Sequence, residues 1–480
     1  MCAVCSRRRQ DAQVLAYALL IASAVLFFCS KSSFGYPIND WSDANIYFTI
    51  GKGMTRGQVV YRDLYDHKGP LLYALHALCA LISFWDFTGV YLMEICLAAL
   101  FLAGAYHLMA LYGARRCAWL MLPVLALVIY ASPGFAQGDS AEELCLPLMM
   151  WSLYGVLRHF RRGGGRMAAG ELVWQGVLAG CVFWIKFTIC GVHAGLFLAL
   201  LVHLAVRRDG RGLWRSLGWL VAGFALSTLP WVIYFGVNAA IHDWLRTYLY
   251  DNLFLYSASE EASGLVPRAK AMLRCGWEWV RDNPLCALPI AAGMGWFAWK
   301  RPRREALAVW LAAFLGALGI FVGGKSYPYY GLALAALVSS FLPRIQPDSI
   351  QEVDTLSTLP AFTYAPPQRA DVAQLVALRA YVDGLSAQGQ KRAAIIASSF
   401  VFNTSIYEYT YRSMGIPEPD APHTEIIYFS SVDKRDAFSW NVLTADYLVV
   451  ADPVQTHLGE ENQHLVTVLA RPVLTGTGIG

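Results

Sequence analysis

The sequence predicts a polytopic α-helical membrane protein with about ten spans, followed by a small C-terminal α/β domain. Of its 480 residues, 56% are hydrophobic and only 15% are charged, and the mean hydropathy is +0.42. This composition is unlike that of a soluble globular domain and typical of a chain that crosses a membrane many times. The net charge of +4 is too small to indicate a nucleic-acid partner.

Ten apolar runs have about the length needed to cross a hydrocarbon core of roughly 30 Å. The predicted spans are 14–30, 90–112, 118–134, 144–158, 171–187, 189–206, 215–236, 284–299, 305–323 and 329–343. Three arginines precede the first run, a pattern that a cleaved signal peptide shares. We favour an uncleaved span, because the run is long and no small-residue cleavage site follows it.

Basic clusters between the runs predict the orientation in the membrane. These clusters are 7–9, 115–116, 158–166, 207–215 and 300–304. Placing them all, and the N-terminus, in the cytoplasm satisfies the positive-inside rule. Segments 31–89, 137–143 and 237–283 then face outside. The apolar stretch 71–84 becomes a helix in the outer interface, although a short true span that breaks the rule at 115–116 is an alternative.

The chain changes character after Pro343. Segments 393–401 and 446–451 are typical of buried strands, and 370–385 of an amphipathic helix. We therefore predict a transmembrane domain over 1–343 and a soluble α/β domain over 344–480. Ten spans would place the second domain inside the cell, whereas a re-entrant 329–343 would place it outside.

The polar loop 31–89 carries the first candidate catalytic group, Asp43. The sequence predicts a short helix over 43–54 with Ser42 as its cap. A carboxylate beside a membrane face can act as a general base toward a hydroxyl or amine. The alternative is that Asp43 only complements the helix dipole.

Three cations are candidates for binding the phosphate of a lipid-linked substrate. Arg62 can grip a phosphate with two hydrogen bonds, and Lys68 can act as a point charge. The alternative is a solvated turn with local Arg–Asp pairs. Lys186 lies among apolar residues, where a charge is costly and hence a functional candidate, unless it extends to the outer interface. Pro70 is expected to begin the interfacial helix.

Three carboxylates, Asp139, Glu142 and Glu143, stand in the second outer segment. They can hold a divalent metal, position an acceptor or pair with Lys68. The alternative is ordinary capping of the following helix, with acids in its first turn. No other cofactor is indicated.

The order of these motifs resembles that of bacterial GT-C membrane glycosyltransferases of the family 39 kind. That group includes protein O-mannosyltransferases and the lipid A aminoarabinose transferase. Segments 43–47, 57–63 and 66–71 match its three loop elements in order. This chain has Gly69 where the lysine motif often has proline, and 329–330 reads Tyr-Tyr where the family often shows His-Tyr.

The resemblance covers about residues 10–340 and implies a polyprenyl-phosphate sugar as donor. It implies an external glycan, lipid or protein as acceptor, and inversion at the anomeric carbon. The residues that it assigns to the site are Asp43 as general base, Lys68, Arg62 and Lys186 at the donor phosphate, and Asp139, Glu142 and Glu143 toward the acceptor or a metal.

Other functions remain open on the sequence. A transporter or flippase of lipid-linked sugars would bind the same phosphate but need no base, and such proteins tend to show internal repeats. An O-antigen polymerase or ligase would use a large later loop, here 237–283.

Overall fold

A computed structural model of the chain describes residues 3–113, 115–255, 265–322, 329, 332, 369–399, 401–410, 423–429, 438–456, 459 and 462–476. The described residues up to 322 are mostly helical, and their helices form a bundle. The helices are α1 (Ala3–Cys29), α2 (Ser42–Thr55), α3 (Pro70–Ile82), α4 (Thr88–Leu111), α5 (Arg115–Tyr130), α6 (Ala141–Arg161), α7 (Ala169–Lys186), α8 (Gly191–Val206), α9 (Gly210–Val237), α10 (Ile241–Trp244), α11 (Leu265–Asp282), α12 (Pro284–Lys300) and α13 (Arg303–Phe321), with a 3₁₀ turn at Phe187–Cys190 and a π-helix at Leu245–Leu255.

The predicted spans up to residue 323 coincide with α1, α4–α9, α12 and α13. Within the described residues, five stretches are long and apolar enough to cross a membrane: Arg8–Cys29, Thr88–Leu111, Ala169–Val206, Gly210–Val237 and Arg303–Phe321. Helices α5, α6 and α12 follow the predicted ranges without meeting both conditions. The predicted span 329–343 lies outside the described residues apart from Tyr329 and Leu332.

Three of the basic clusters, 158–166, 207–215 and 300–304, lie together at one end of the bundle. Arg166 donates to both carboxylate oxygens of Asp209, at 2.7 and 2.6 Å, and Arg304 donates to the Gly163 carbonyl at 2.9 Å. These contacts join the ends of α6, α8 and α13 where the sequence carries its arginines. These contacts bring together three of the clusters that the sequence analysis places on one side of the membrane.

The three segments predicted to face outside, 31–89, 137–143 and 237–283, meet at the other end, and we call them the outer segments. The Lys31 N–H donates to the Gln137 carbonyl at 2.9 Å, and the Asn252 amide donates to the His67 carbonyl at 2.7 Å. The first, second and third outer segments thus surround one region, which contains the candidate site.

The two short helices of the first outer segment support this region. Helix α2 agrees closely with its prediction, but the expected cap is wrong: Trp41 occupies the N-cap position and Ser42 lies in the first turn. Pro70 begins α3 as predicted. Its 13 residues extend about 20 Å, too short for a core of about 30 Å. A Cβ at Gly51 would lie 2.6 Å from the His76 carbonyl carbon, so glycine permits this close packing.

The C-terminal domain is a small α/β unit, as predicted. Its parallel sheet has the order β2-β1-β3. Its elements are α14 (Val372–Gly384), β1 (Arg392–Ile396), α15 (Thr404–Glu408), β2 (Glu425–Ile426), a 3₁₀ turn (Trp440–Thr444), β3 (Tyr447–Val450), a π-helix (Leu465–Ala470) and α16 (Arg471–Thr475). The predicted strand 393–401 is too long, because the Ser399 hydroxyl accepts the N–H groups of Val401 and Phe402 at 3.1 and 3.0 Å and closes a turn.

Candidate functional site

Gly69 brings the two candidate lysines of different elements together. Its N–H donates to the Ile185 carbonyl at 2.9 Å. A Cβ at this position would lie 2.0 Å from the Trp184 carbonyl oxygen, so only glycine allows this approach. Its φ of −77° is available to any residue, and the requirement is therefore one of space. Lys68 precedes Gly69 and Lys186 follows Ile185, so this contact brings the backbones of the two lysines close together.

Lys186 points into the site. Its Nζ donates to Glu142 Oε1 at 2.5 Å, and the two side chains are 11% and 2% exposed. The same Nζ lies 5.9 Å from the centroid of the Tyr329 ring, which in turn packs edge-on to Trp41 at 5.6 Å. Glu142, predicted to position an acceptor or metal, is thus the counterion of Lys186.

Lys68 belongs to a row of ionisable side chains. Its Nζ lies 3.2 Å from His67 Nε2, and His67 Nδ1 lies 3.1 Å from Asp66. Burial and the neighbouring ammonium lower the pKa of His67, although Asp66 opposes them. The neutral imidazole therefore connects an ammonium to a carboxylate.

Asp66 anchors this row to α3. The Tyr73 hydroxyl donates to its carboxylate at 2.6 Å. Burial alone would raise the pKa of Asp66, but His67, Lys68 and the Tyr73 hydrogen bond hold it well below its usual range. The loop between them is fixed by Tyr61, whose hydroxyl donates to the Lys68 carbonyl at 2.5 Å. Tyr61 has a φ of +71°, an uncommon conformation for a residue other than glycine.

Asp43 lies in the first turn of α2, where a carboxylate also complements the helix dipole. The Tyr47 hydroxyl donates to its Oδ2 at 3.2 Å. Burial, with the charges of Asp43 and Asp66, raises the pKa of Tyr47, so the phenol stays protonated as the donor. The Tyr47 ring lies 5.9 Å from Lys68 Nζ. Tyr47 therefore joins the candidate base to the candidate phosphate side.

Asp139 is paired within the protein. His76 Nε2 lies 3.0 Å from both of its carboxylate oxygens, and both side chains are fully buried. His76 Nδ1 lies 2.8 Å from the Leu72 carbonyl and must donate, because a carbonyl only accepts. Burial alone would lower the pKa of His76, but the adjoining carboxylate raises it above its ordinary value.

Glu143 takes part in capping α6. The Ser140 hydroxyl accepts the Glu143 N–H at 3.1 Å, while the Asp139 N–H lies 2.8 Å from Glu143 Oε2 and 3.0 Å from Glu94 Oε1. Ser140 is thus the N-cap, and the Glu143 side chain reaches back to the residue before it, a variant of the predicted helix capping. Within the described ranges, no three His, Cys, Asp or Glu side chains are grouped as a metal site requires.

Arg62 occupies the local pair that was the alternative to phosphate binding. Its guanidinium donates to both oxygens of Asp63 at 2.9 Å and to the Asn238 carbonyl at 2.9 Å. The side chain is 43% exposed. Arg62 thus ties the loop to the end of α9, and its role at the donor phosphate stays a prediction without geometric support.

Sequence reasoning missed three contributors to the site. Tyr47 stands four residues after Asp43, and that helical spacing was a usable signal. His67 was visible only as part of a motif. His76 had no usable signal, because its partner Asp139 lies 63 residues away in the chain.

No family model and no curated protein match this chain. Among solved structures, it is similar to the crystal structure of ArnT from Cupriavidus metallidurans bound to undecaprenyl phosphate. The identity is 18% and the TM-score 0.45, over 84% of this chain and 74% of that chain.

Proposed function

We propose that this chain is a membrane glycosyltransferase that moves a sugar from a polyprenyl-phosphate donor to an acceptor outside the cytoplasm. The observation that carries the proposal is the convergence of Lys68 and Lys186 beside Tyr47 and Asp43 at one end of an apolar helix bundle. Two ammonium groups suit a phosphate on a lipid tail, and a carboxylate nearby suits a general base. The motif order that resembles GT-C transferases supports the same assignment.

The proposed step is a single displacement. The acceptor hydroxyl or amine attacks the anomeric carbon as its proton passes to the Asp43 carboxylate. The bond between that carbon and the phosphate oxygen breaks, and the oxygen keeps the electron pair as polyprenyl phosphate. Lys68 and Lys186 stabilise the charge that develops there. Attack opposite the leaving group inverts the anomeric configuration.

The three predicted carboxylates organise the site. Glu142 neutralises Lys186 and aims it. The buried Asp139–His76 pair and the cap that Glu143 makes hold the start of α6 against α3. We assign these carboxylates to organising the site, because each pairs with a specific group: Lys186, His76 or the Asp139 N–H.

We place the site on the outer face of a cell membrane, with the N-terminus in the cytoplasm. Support comes from three basic clusters, 158–166, 207–215 and 300–304, which lie together at the opposite end of the bundle. Such clusters favour the cytoplasmic side. The C-terminal domain contacts α2 and lies on the outer side in this arrangement. That placement suits a 329–343 segment that does not cross the membrane.

A transfer assay with the purified enzyme tests the function. A panel of polyprenyl-phosphate sugars is supplied with cell-envelope acceptors, and free polyprenyl phosphate is measured. We expect one donor to be consumed, and Asp43→Asn to lower kcat by about 10²–10⁴-fold, the usual contribution of a general base. Asp243→Asn changes an exposed carboxylate of the third outer segment and should retain parental turnover.

Two outcomes would contradict the proposal. A folded, membrane-inserted Asp43→Asn enzyme that transfers sugar at the parental rate removes Asp43 as the base. A wild-type protein that binds a donor and moves it across liposomes without releasing polyprenyl phosphate is a transporter.

A further inference from the structure

A buried charged pair joins α2 to the C-terminal domain. The Lys52 ammonium donates to Glu408, 356 residues away in the chain, and the two side chains are 0% and 1% exposed. Glu408 also accepts from the Tyr428 hydroxyl. The pair thus links the helix that carries Asp43 to α15 and to the segment that follows β2 in the α/β domain.

Stability alone does not account for this pair. Burial lowers the pKa of Lys52, and Glu408 only partly offsets that effect. Replacing a buried ion pair by apolar groups is often neutral or stabilising, whereas a fixed register is the best-attested benefit of keeping one. The aromatic rings of Phe48 and Tyr409 lie 5.1 and 5.0 Å from the ammonium, so its position is tightly defined.

Further contacts continue along the same face of α2. The Thr49 hydroxyl contacts the Ser405 hydroxyl, and Ser405 also donates to the Asn45 carbonyl at 3.2 Å. Positions 45, 49 and 52 follow the i, i+4, i+7 spacing of one helical face. The domain therefore holds α2 along about two turns.

The active-site residues occupy the other face of this helix. At about 100° per residue, Asp43 and Tyr47 project roughly opposite to Asn45, Thr49 and Lys52. A rotation or slide of α2 under the domain would therefore move the carboxylate relative to Lys68.

We infer that the C-terminal domain is a positioning element of the active site, and that Lys52 and Glu408 are its positioning residues. By fixing one face of α2, the domain sets the place of Asp43 and Tyr47 on the other. This inference rests on the proposed function for its catalytic readout. The docking of the domain on α2 can be measured separately, by cross-linking the two.

The first experiment removes both charges together. Lys52→Met with Glu408→Gln avoids leaving one buried charge without a partner, which is the strongly destabilising case. We expect this double variant to insert and fold, with kcat lowered about tenfold or more and KM for the donor unchanged. Small displacements of reacting groups can cost about 10²-fold in rate. Replacing the exposed pair Arg281–Asp282 by Met and Asn is the matched control and should leave kcat unchanged.

The second experiment restores the docking by another bond. Thr49→Cys with Ser405→Cys places two thiols where the hydroxyls touch, and the cross-link is identified by mass spectrometry of its peptides. Added to the uncharged double variant, this pair should restore kcat when oxidised and lose it again when reduced. A merely structural role for the ion pair would not give this reversible gain.

The outcomes separate the two proposals. An uncharged double variant with parental kcat, or a formed cross-link without recovery, overturns the positioning role while leaving the transferase intact. A wild-type protein that consumes no donor removes the proposed function and the positioning role together. The cross-link yield then still reports whether the domain docks on α2.

Discussion

Asp66 shows how single residues of the loop hold Lys68 in place. It joins the phenol of Tyr73 at 2.6 Å to the imidazole of His67 at 3.1 Å, and is almost fully buried. A carboxylate with such partners is an anchor of the backbone on both sides of it. These contacts make Asp66 part of the scaffold that positions Lys68.

We predict that Asp66→Asn destabilises the folded protein by about 1.5–3 kcal/mol at pH 7, the contribution of hydrogen bonds to a charged group. Because the folded pKa of Asp66 is depressed, its stabilisation is present above the unfolded pKa of about 4 and is lost as pH falls through the folded pKa. The difference from wild type should therefore shrink on acidification below about pH 4. Thermal unfolding in detergent at several pH values measures it.

Asp282→Asn is the control for this prediction. It changes an exposed carboxylate beside Arg281, where an ion pair contributes less than about 1 kcal/mol. An Asp66→Asn protein as stable as this control at pH 7 would remove Asp66 as an anchor.

At the scale of elements, the crossing of the loop before α3 over the end of α7 determines the site. Gly69 is the contact point. It follows Lys68 in the chain, and its N–H donates to the carbonyl of Ile185, the residue before Lys186. The packing of this loop against α7 therefore brings Lys68 and Lys186 together.

We predict that Gly69→Ala destabilises the protein by about 1–3 kcal/mol, the cost of overpacking, and weakens donor use. The new methyl group would meet the Trp184 carbonyl at 2.0 Å, so the loop must move away from α7. Stability in detergent and KM for the donor measure the two effects. The control is Gly218→Ala in α9, where a methyl group meets nothing within 4 Å, and this change should be neutral or stabilising. Equal stability and equal KM of the two variants would contradict the close contact at Gly69.

At the scale of the whole molecule, local signals were readable in the sequence and distant pairings were not. Apolar runs gave the long helices, and Pro70 marked the start of α3, because length and backbone chemistry are local properties. The pairing of His76 with Asp139 depends on how α3 packs against the start of α6. Lys52 gave no local sign of its pairing, because its partner Glu408 lies 356 residues away in the chain.

For the candidate site too, the sequence predicted some residues that the fold brings together and one that it does not. The motifs pointed to Asp43, Lys68 and Lys186, which the fold gathers at one end of the bundle. They also pointed to Arg62, whose guanidinium is taken up by its sequence neighbour Asp63. A spacing pattern contains no information about which of two nearby groups a side chain will contact.

The central claim is that Lys68 and Lys186 hold the donor phosphate while Asp43 serves as the base. The most direct test measures the affinity of several variants for polyprenyl monophosphate. The site variants are Lys68→Met, Lys186→Met, these two combined, and Asp43→Asn. The control is Lys270→Met, which changes an exposed lysine of α11. We predict that each site lysine variant weakens binding about 10–100-fold, as expected for a charged hydrogen bond of about 1.5–3 kcal/mol, while Asp43→Asn and Lys270→Met bind as wild type does. Wild-type affinity in the double lysine variant would contradict the account.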